Sequence, residues 1–141
     1  MKIVVDTNVL IAGLLKNSIV RKILNYSWIE FFIPEIVIEE VEKYIGELCF
    51  KGNYSQEELR VVLSFLLDGM IFVKKTELEP FMKKAEKLMA IDIKDAPFIA
   101  ACFAIKADGI WSFDKHFRYQ SEVPVFDIEE LSRMDKMFQA S

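Results

Sequence analysis

Cysteine and histidine are scarce in this sequence. Cys49 and Cys102 are the two cysteines, and His116 is the single histidine. Two thiols cannot supply the disulfide framework that stabilises many small secreted domains, so the pair fits a reducing compartment, and we expect a cytoplasmic protein. One histidine without a Cys-x-x-Cys pair argues against a zinc site. We interpret both cysteines as packing residues.

Long apolar runs and glycine-rich motifs are also missing. The apolar run 98–105 is typical of the longest ones, and it is far shorter than the roughly 20 residues that a membrane helix requires. The N-terminal segment lacks the apolar region and the cleavage site of a signal peptide. No Gly-x-x-x-x-Gly-Lys motif occurs, which excludes a Walker-type NTPase. These absences predict a soluble protein without membrane contact.

The composition indicates one globular domain. The chain has 141 residues, of which 52% are hydrophobic and 28% are charged. This size accommodates one hydrophobic core and no second domain, so we assign residues 1–141 to a single domain. The net charge of −4 argues against binding nucleic acid through a broad basic surface. A cluster of carboxylates that binds divalent cations would reverse the local charge.

Short apolar runs alternate with segments of helical periodicity, which predicts alternating strands and helices. We predict strands at 3–5, 28–33, 70–73, 109–113 and 123–126, and helices at 9–15, 19–27, 35–48, 55–68, 76–89, 95–106 and 128–137. Within 35–48, the apolar stripe consists of Val37, Val41, Tyr44 and Leu48. Such alternation favours parallel crossover connections. The predicted fold class is therefore α/β, a three-layer α/β/α sandwich around a mostly parallel sheet of four to five strands.

Four acidic residues lie at places that a parallel sheet brings together. Asp6 and Asp114 follow predicted strands, Asp95 begins a predicted helix, and Glu40 lies in the helix after the second strand. Ligand sites of open parallel sheets lie beyond the carboxyl ends of the strands. Each acid alone also fits a helix cap, a turn or a solvated helix face. Together, carboxylates crowded at one edge repel one another and persist mainly by binding hard cations, so they predict a divalent-metal site.

The same motifs carry a family resemblance. Asp6-Thr7-Asn8 follows a hydrophobic strand, Glu40 lies in a helix after the second strand, Asp92-x-x-Asp95-Ala-Pro begins a helix, and Ser112-Phe-Asp114 follows the fourth strand. In order, spacing and context, this set resembles the PIN-domain family over essentially the whole chain. The resemblance implies a metal-dependent nuclease that commonly acts on RNA. Small single-domain members are often VapC-type toxins, which are paired with an antitoxin protein and are usually dimeric.

The resemblance also implies the site residues. Its catalytic and metal-binding acids fall on Asp6, Glu40, Asp95 and Asp114. Asp92 is either a fifth metal ligand or an ordinary loop residue. Glu39 competes with Glu40 for the second position, but Glu40 precedes Val41 and fits the family's acid-then-aliphatic pattern better. Small polar residues that orient the acids fall on Thr7, Asn8 and Ser112.

The residue types determine the chemistry that we expect. Without a usable histidine, a cysteine nucleophile or a phosphate-binding loop, phosphodiester hydrolysis would depend on one or two Mg²⁺ or Mn²⁺ ions. The leading hypothesis is a metal-dependent endoribonuclease, the toxin half of a toxin–antitoxin pair. The rival hypothesis is a catalytically inactive PIN-like module for binding or assembly.

Other residues have alternative interpretations. We interpret His116 as a surface residue near the mouth of the cleft. Lys83, Lys84, Lys87, Lys115 and Arg118 either guide a phosphate backbone or simply form solvated faces. The 12 Phe, 4 Tyr and 2 Trp either fill the core or form an apolar patch for a homodimer and a groove for an antitoxin peptide.

Overall fold

Five parallel strands form a single sheet in the middle of the molecule. The structure is a computed structural model and describes residues 1–140. The strands are β1 Lys2–Val5, β2 Glu30–Pro34, β3 Met70–Val73, β4 Gly109–Trp111 and β5 Val125–Phe126. Their order across the sheet is β3-β2-β1-β4-β5, and every neighbouring pair is parallel. The predicted parallel sheet is confirmed.

Helices connect these strands and cover both faces of the sheet. They are α1 Thr7–Leu14, α2 Ser18–Leu24, α3 Ile36–Lys43, α4 Ile45–Gly52, α5 Gln56–Asp68, α6 Lys75–Leu78, α7 Met82–Leu88, α8 Ala96–Ile105 and α9 Ile128–Ala140. The chain steps outward from β1 to β2 and β3, and α6 to α8 then carry it back to β4. Because parallel crossovers are right-handed, this reversal moves the connecting helices to the opposite face. Accordingly, α1 packs on α2 and α5, whereas α8 packs on α6, α7 and the central strands, which confirms the three-layer sandwich.

The core is deepest around β1 and α8. Ile3, Val4 and Val5 are completely buried, because β1 lies in the middle of the sheet and has helices on both faces. Residues 98–102 of α8 are also buried, since α8 packs against β1, β2 and β4. The loops that follow β1 and β4 therefore begin at the buried centre of the sheet.

Within residues 1–140, no helix combines the length and the apolar character needed to cross a membrane.

The single helix predicted at 35–48 is wrong. Two helices occupy this segment, and they are separated at Tyr44, whose φ and ψ of −110° and 15° are not α-helical. Gly46 follows closely, and glycine weakens a continuous helix because it is the poorest helix former after proline. Val41 and Leu48 of the predicted stripe are buried, but Tyr44 is 49% exposed. Tyr44 is therefore a surface residue.

Pro80 interrupts the helix predicted at 76–89. The segment contains α6, a 3₁₀ turn at Glu79–Phe81 and α7. A proline has no N–H to donate to a helix, and it restricts the residue before it. α6 begins at Lys75, one residue earlier than predicted. The Glu77 carboxylate accepts the backbone N–H of Lys74, the residue that precedes the helix. The predicted apolar face is therefore divided among α6, the 3₁₀ turn and α7.

The second strand is shorter than predicted. β2 begins at Glu30 rather than at Trp28. The Trp28 ring stacks on Phe138 with 4.5 Å between the ring centroids, and its Nε1–H donates to Asp135 at 2.7 Å. These contacts hold α9 against the end of the sheet, so Trp28 packs against a helix instead of extending the strand.

The fourth and fifth strands are also shorter than predicted. β4 ends at Trp111 rather than at Phe113, so Asp114 lies in the turn that follows. β5 does not include Val123, because the backbone N–H and carbonyl of Val123 bond to the side chain of Gln120 at 2.8 Å. Because β4 ends at Trp111, residues 112–114 lie in the turn beyond the carboxyl edge of the sheet.

Gly109→Ala should destabilise the protein, because β4 has no room for a methyl group there. A Cβ at Gly109 would lie 2.5 Å from the Phe126 ring and 2.6 Å from the Pro124 carbonyl oxygen. Crowding of this kind lowers the free energy of unfolding by about 1–3 kcal/mol. Urea unfolding in buffer with a chelator measures the change.

Gly46→Ala is the matched control. Nothing lies within 4 Å of a methyl group added at Gly46, and alanine is the better helix former by about 0.5–1 kcal/mol. Its unfolding midpoint should equal or exceed that of the wild type. Equal midpoints for the two variants would contradict the packing described for β4 against β5.

Candidate active site

Asp6 lies at the end of β1 and begins α1. Its backbone N–H donates to the Trp111 carbonyl at 3.1 Å, which continues the pairing of β1 with β4. Its Oδ1 accepts the Thr7 N–H at 2.8 Å and thereby caps α1. The side chain is only 4% exposed. The carboxylate is therefore fixed in one orientation at the carboxyl edge of the sheet.

Ser112 links Asp6 to Asp114. The Ser112 hydroxyl donates to Asp6 Oδ2 at 2.8 Å, and its oxygen accepts the Asp114 N–H at 2.9 Å. Asp114 Oδ1 accepts the His116 N–H at 2.9 Å. Phe113 packs edge-on against the indole ring at the end of β4, and it does not line the space beside the acids. One buried hydroxyl thus fixes the two acids relative to each other.

Glu40 and Asp95 line the same space as Asp6 and Asp114. α3 buries Val37 and Val41 in the core, and Glu40, next to Val41, is half-buried. Asp95 ends the short 3₁₀ turn that leads into α8, and it is also half-buried. Glu39 is exposed and lines a different cavity. Of the two neighbouring glutamates, Glu40 is the one beside the other acids.

One cleft of about 360 Å³ contains these side chains. It lies beyond the carboxyl ends of β1 and β4, where the strand order changes direction, and open α/β sheets bind ligands at this kind of position. Its lining includes the acids Asp6, Glu40, Asp95 and Asp114 and the polar residues Thr7 and Asn8. Ser112 contacts the site through its hydrogen bonds. The structure thus brings together the residues that the sequence singled out, apart from Asp92.

Asp92 lies beside the cleft rather than in its lining. Asp92 Oδ2 is 3.2 Å from His116 Nδ1, and the same nitrogen is 3.6 Å from Asp114 Oδ1. One ligand atom from each of these three side chains lies within 4.8 Å of the others, so the group could hold a cation. His116 is half-buried beside the cleft and contacts two acids, and these contacts are not among the sequence predictions. Its position two residues after Asp114 is the signal that the sequence offers.

Lys43, Tyr44 and Lys94 also line the cleft, and sequence reasoning did not include them in the site. Lys43 and Tyr44 follow Glu40 by three and four positions, and side chains at this spacing share one face of a helix. Lys94 directly precedes Asp95. Their closeness in sequence to Glu40 and Asp95 is therefore the signal that could have identified all three residues.

The pKa of Asp6 is raised to about 6, chiefly because burial disfavours the charged form. The hydrogen bonds from Ser112 and Thr7 oppose this rise, and the carboxylates of Asp114 and Glu40 add to it. A fully charged Asp6 is therefore less stable in the folded protein than in the unfolded chain.

The pKa of Asp95 is raised to about 7, first by burial and then by the hydrogen bond and the charge of Asp92. The pKa of Asp92 is lowered, chiefly by its hydrogen bond with His116. A proton on this pair is therefore favoured on Asp95 over Asp92. The cation-free cleft resists full ionisation near neutral pH.

The donor set of the cleft fits a hard divalent cation. Carboxylate oxygens are the ligands that Mg²⁺ and Mn²⁺ prefer, and a cation would stabilise the charged forms of Asp6 and Asp95, which burial and the neighbouring acids disfavour. Thr7 Oγ1 is buried and has no hydrogen-bond partner within residues 1–140. The Thr7 hydroxyl is therefore a further oxygen that is available to a ligand in the cleft.

Comparison with known proteins identifies the family. The model of a family described as PIN domain matches residues 4–133. The chain belongs to the PIN-domain family. A comparison with curated proteins finds no significant match. PIN domains are generally nucleases and typically use divalent metal ions. The acid cleft of this PIN domain therefore lies in a nuclease-type fold, and the matched range contains every acid of the predicted site.

Asp6→Asn should stabilise the metal-free PIN domain at neutral pH. The pKa of Asp6 in the folded protein, about 6, lies above its ordinary value of 3.8, so the folded protein binds the extra proton. The free energy of unfolding therefore decreases as pH rises from about 4 to about 6. Without this charge, the variant should exceed the wild type by roughly 3 kcal/mol above pH 7, and the two should match below about pH 4.

Urea unfolding in EDTA across this pH range measures both proteins. Asparagine can still accept the Thr7 N–H, so the helix cap is retained in the variant. A variant that is less stable than the wild type at neutral pH would mean that Asp6 acts mainly as a helix cap.

Proposed function

We propose that this protein is a metal-dependent endoribonuclease that hydrolyses RNA phosphodiester bonds in the cytoplasm, with Asp6, Glu40, Asp95 and Asp114 as its catalytic acids. The main support is that all four line one cleft in a PIN domain. A cap or a turn explains each acid separately, but neither explains their common cavity.

Mg²⁺ or Mn²⁺, as one or two ions, is the proposed cofactor. When bound, such an ion activates water for attack on phosphorus and neutralises charge on the leaving oxygen. The proposed ligands are Asp6, Glu40, Asp95 and Asp114, with Asp92 as a fifth. All of them supply oxygen atoms, which suits both metals.

Neighbouring groups keep the acids oriented. Ser112 and the Thr7 N–H each bond one oxygen of Asp6, so both oxygens are held in place. His116 lies 3.2 Å from Asp92 and lowers its pKa, which keeps Asp92 ionised. The cleft is therefore preorganised before any ligand enters, as efficient catalysis requires.

The proposal includes the setting of VapC-type toxins, a homodimer that an antitoxin protein inhibits. On α5, Val61 and Phe65 are 69% and 79% exposed, and exposed apolar patches commonly mark interfaces. We assign this patch to the homodimer. A separate groove of about 520 Å³, lined by Ile36, Leu78 and Met82 among others, is assigned to the antitoxin.

RNA cleavage should require Mn²⁺ and the cleft acids. The purified protein should cleave single-stranded RNA with Mn²⁺, and EDTA should stop the reaction. Asp6→Asn or Asp114→Asn should reduce the rate on the order of 100-fold or more, because each change removes a charged ligand. Glu39→Gln is the matched control, since Glu39 is exposed and lines another cavity, and it should cleave like the wild type. Gels of labelled RNA measure all four proteins.

An inactive binding module is the competing function. Calorimetric titration with Mn²⁺, followed by cleavage assays on structured and unstructured RNA, separates the two. Mn²⁺ binding without turnover would support the module and contradict the nuclease. If Asp6→Asn binds Mn²⁺ as tightly as the wild type, the ions bind elsewhere, for example at the acidic segment 39–47.

Val61→Glu should convert the proposed homodimer into a monomer, because an apolar interface cannot solvate the added charge. Light scattering at micromolar concentration should give twice the chain mass of 16.4 kDa for the wild type and the single mass for the variant. Ile91→Glu is the control, since Ile91 is 60% exposed and lies outside the patch on α5. A monomeric wild type would overturn the homodimer.

A further inference from the structure

Lys43, at the end of α3, and Tyr44, directly after it, line the acid cleft together with Glu40. Lys94 lines the same cleft beside Asp95. The two segments that supply Glu40 and Asp95 therefore each supply a lysine as well.

The Tyr44 ring is accessible at the edge of the cleft. Tyr44 is 49% exposed and occupies the break between α3 and α4, so it contributes little to the core. The Lys43 ammonium lies 5.8 Å from the centre of the ring. An accessible aromatic face next to a cation is a combination on which unpaired nucleic-acid bases stack.

The cleft lysines are unpaired, although four carboxylates line the same cavity. Within residues 1–140, neither Lys43 nor Lys94 takes part in an ion pair. Two of the residues that the sequence offered as phosphate guides are occupied, because Lys84 pairs with Glu122 at 3.6 Å and Arg118 contacts two acids. Among the described residues, Lys43 and Lys94 are thus two unpaired positive charges in the lining of the acid cleft.

We propose that Lys43, Tyr44 and Lys94 form a substrate-binding rim that holds a single-stranded nucleic acid across the acid cleft. The two lysines contact backbone phosphates, and the Tyr44 ring stacks on an unpaired base. Bases within a duplex are already stacked and offer no free face, so the ring favours single strands. The proposal rests on the proposed nuclease function and adds the residues that recognise its substrate.

Binding measurements test the rim separately from cleavage. The probe is a fluorescein-labelled single-stranded RNA of about 12 nucleotides, with Ca²⁺ in place of Mn²⁺ and a gel to verify that the RNA stays intact. Fluorescence anisotropy gives Kd. Tyr44→Ala should raise Kd by about 5- to 150-fold, the loss expected for one stacked base. Tyr44→Phe keeps the ring and should bind like the wild type.

Phe50→Ala is the matched control for Tyr44→Ala. Phe50 lies on the neighbouring helix α4, is 88% exposed and does not line the cleft, so its removal should leave Kd unchanged. The same RNA annealed to its complement is the second control. Tyr44→Ala should not alter the binding of this duplex.

Lys43→Ala and Lys94→Ala should weaken binding and make it less dependent on salt. Each lost phosphate contact should lower the slope of log Kd against log salt by about 0.7 for a single strand. Lys51→Ala is the charge-matched control, because Lys51 is exposed and pairs with Glu47 at 2.9 Å, and it should retain the wild-type slope.

The outcomes distinguish the rim from the nuclease function. If the rim variants bind RNA like their controls while the wild type cleaves RNA with Mn²⁺, the rim is wrong and the nuclease stands. If the wild type binds through the rim without cleaving, the nuclease is wrong and the rim stands. A wild type that neither binds nor cleaves overturns both.

Discussion

A buried hydrogen bond from Ser112 to Asp6 joins the two strands beside the cleft. The two residues are 106 positions apart in sequence, and they meet because β1 and β4 are neighbours in the sheet. The same hydroxyl accepts the Asp114 N–H. Without Ser112, a buried carboxylate would lose a donor, and its charged form would become less stable still. The geometry of the acids therefore depends on the register of β1 against β4.

Crowded carboxylates oppose folding, and the rest of the fold compensates for them. The raised pKa values of Asp6 and Asp95, about 6 and about 7, reflect first the burial of these carboxylates and then the neighbouring acids, and the unfolded chain has neither. The fully buried β1 and the buried face of α8 supply the compensating hydrophobic stabilisation. A cation that binds only the folded protein would relieve the repulsion and add stability by mass action. Because these acids destabilise the folded protein, their presence favours a ligand-binding role for the cluster over a purely structural one.

The parallel sheet and most of the clustered acids could be predicted because both depend on local signals. Apolar runs mark the strands, and an acid that follows a parallel strand must lie at the carboxyl edge. Tyr44 was misplaced because its exposure depends on a helix break, which periodicity does not reveal. The contact between Asp92 and His116 depends on two turns that meet in space, and no spacing in the sequence encodes it. The roles of these residues in catalysis stay predictions.

Recognition of a polyanion by an acidic protein must depend on local rather than overall charge. The net charge is −4, and Lys84 and Arg118 are already paired with neighbouring acids, so a broad basic surface is not available to a nucleic acid. On the proposed function, the lysines, the Tyr44 ring and the acids act on the same short stretch of the substrate. The Tyr44 ring can stack on a base of that stretch only when the base is unpaired. Binding and cleavage would then both select a single-stranded segment. Long-range electrostatic attraction alone could not distinguish such a segment from a duplex.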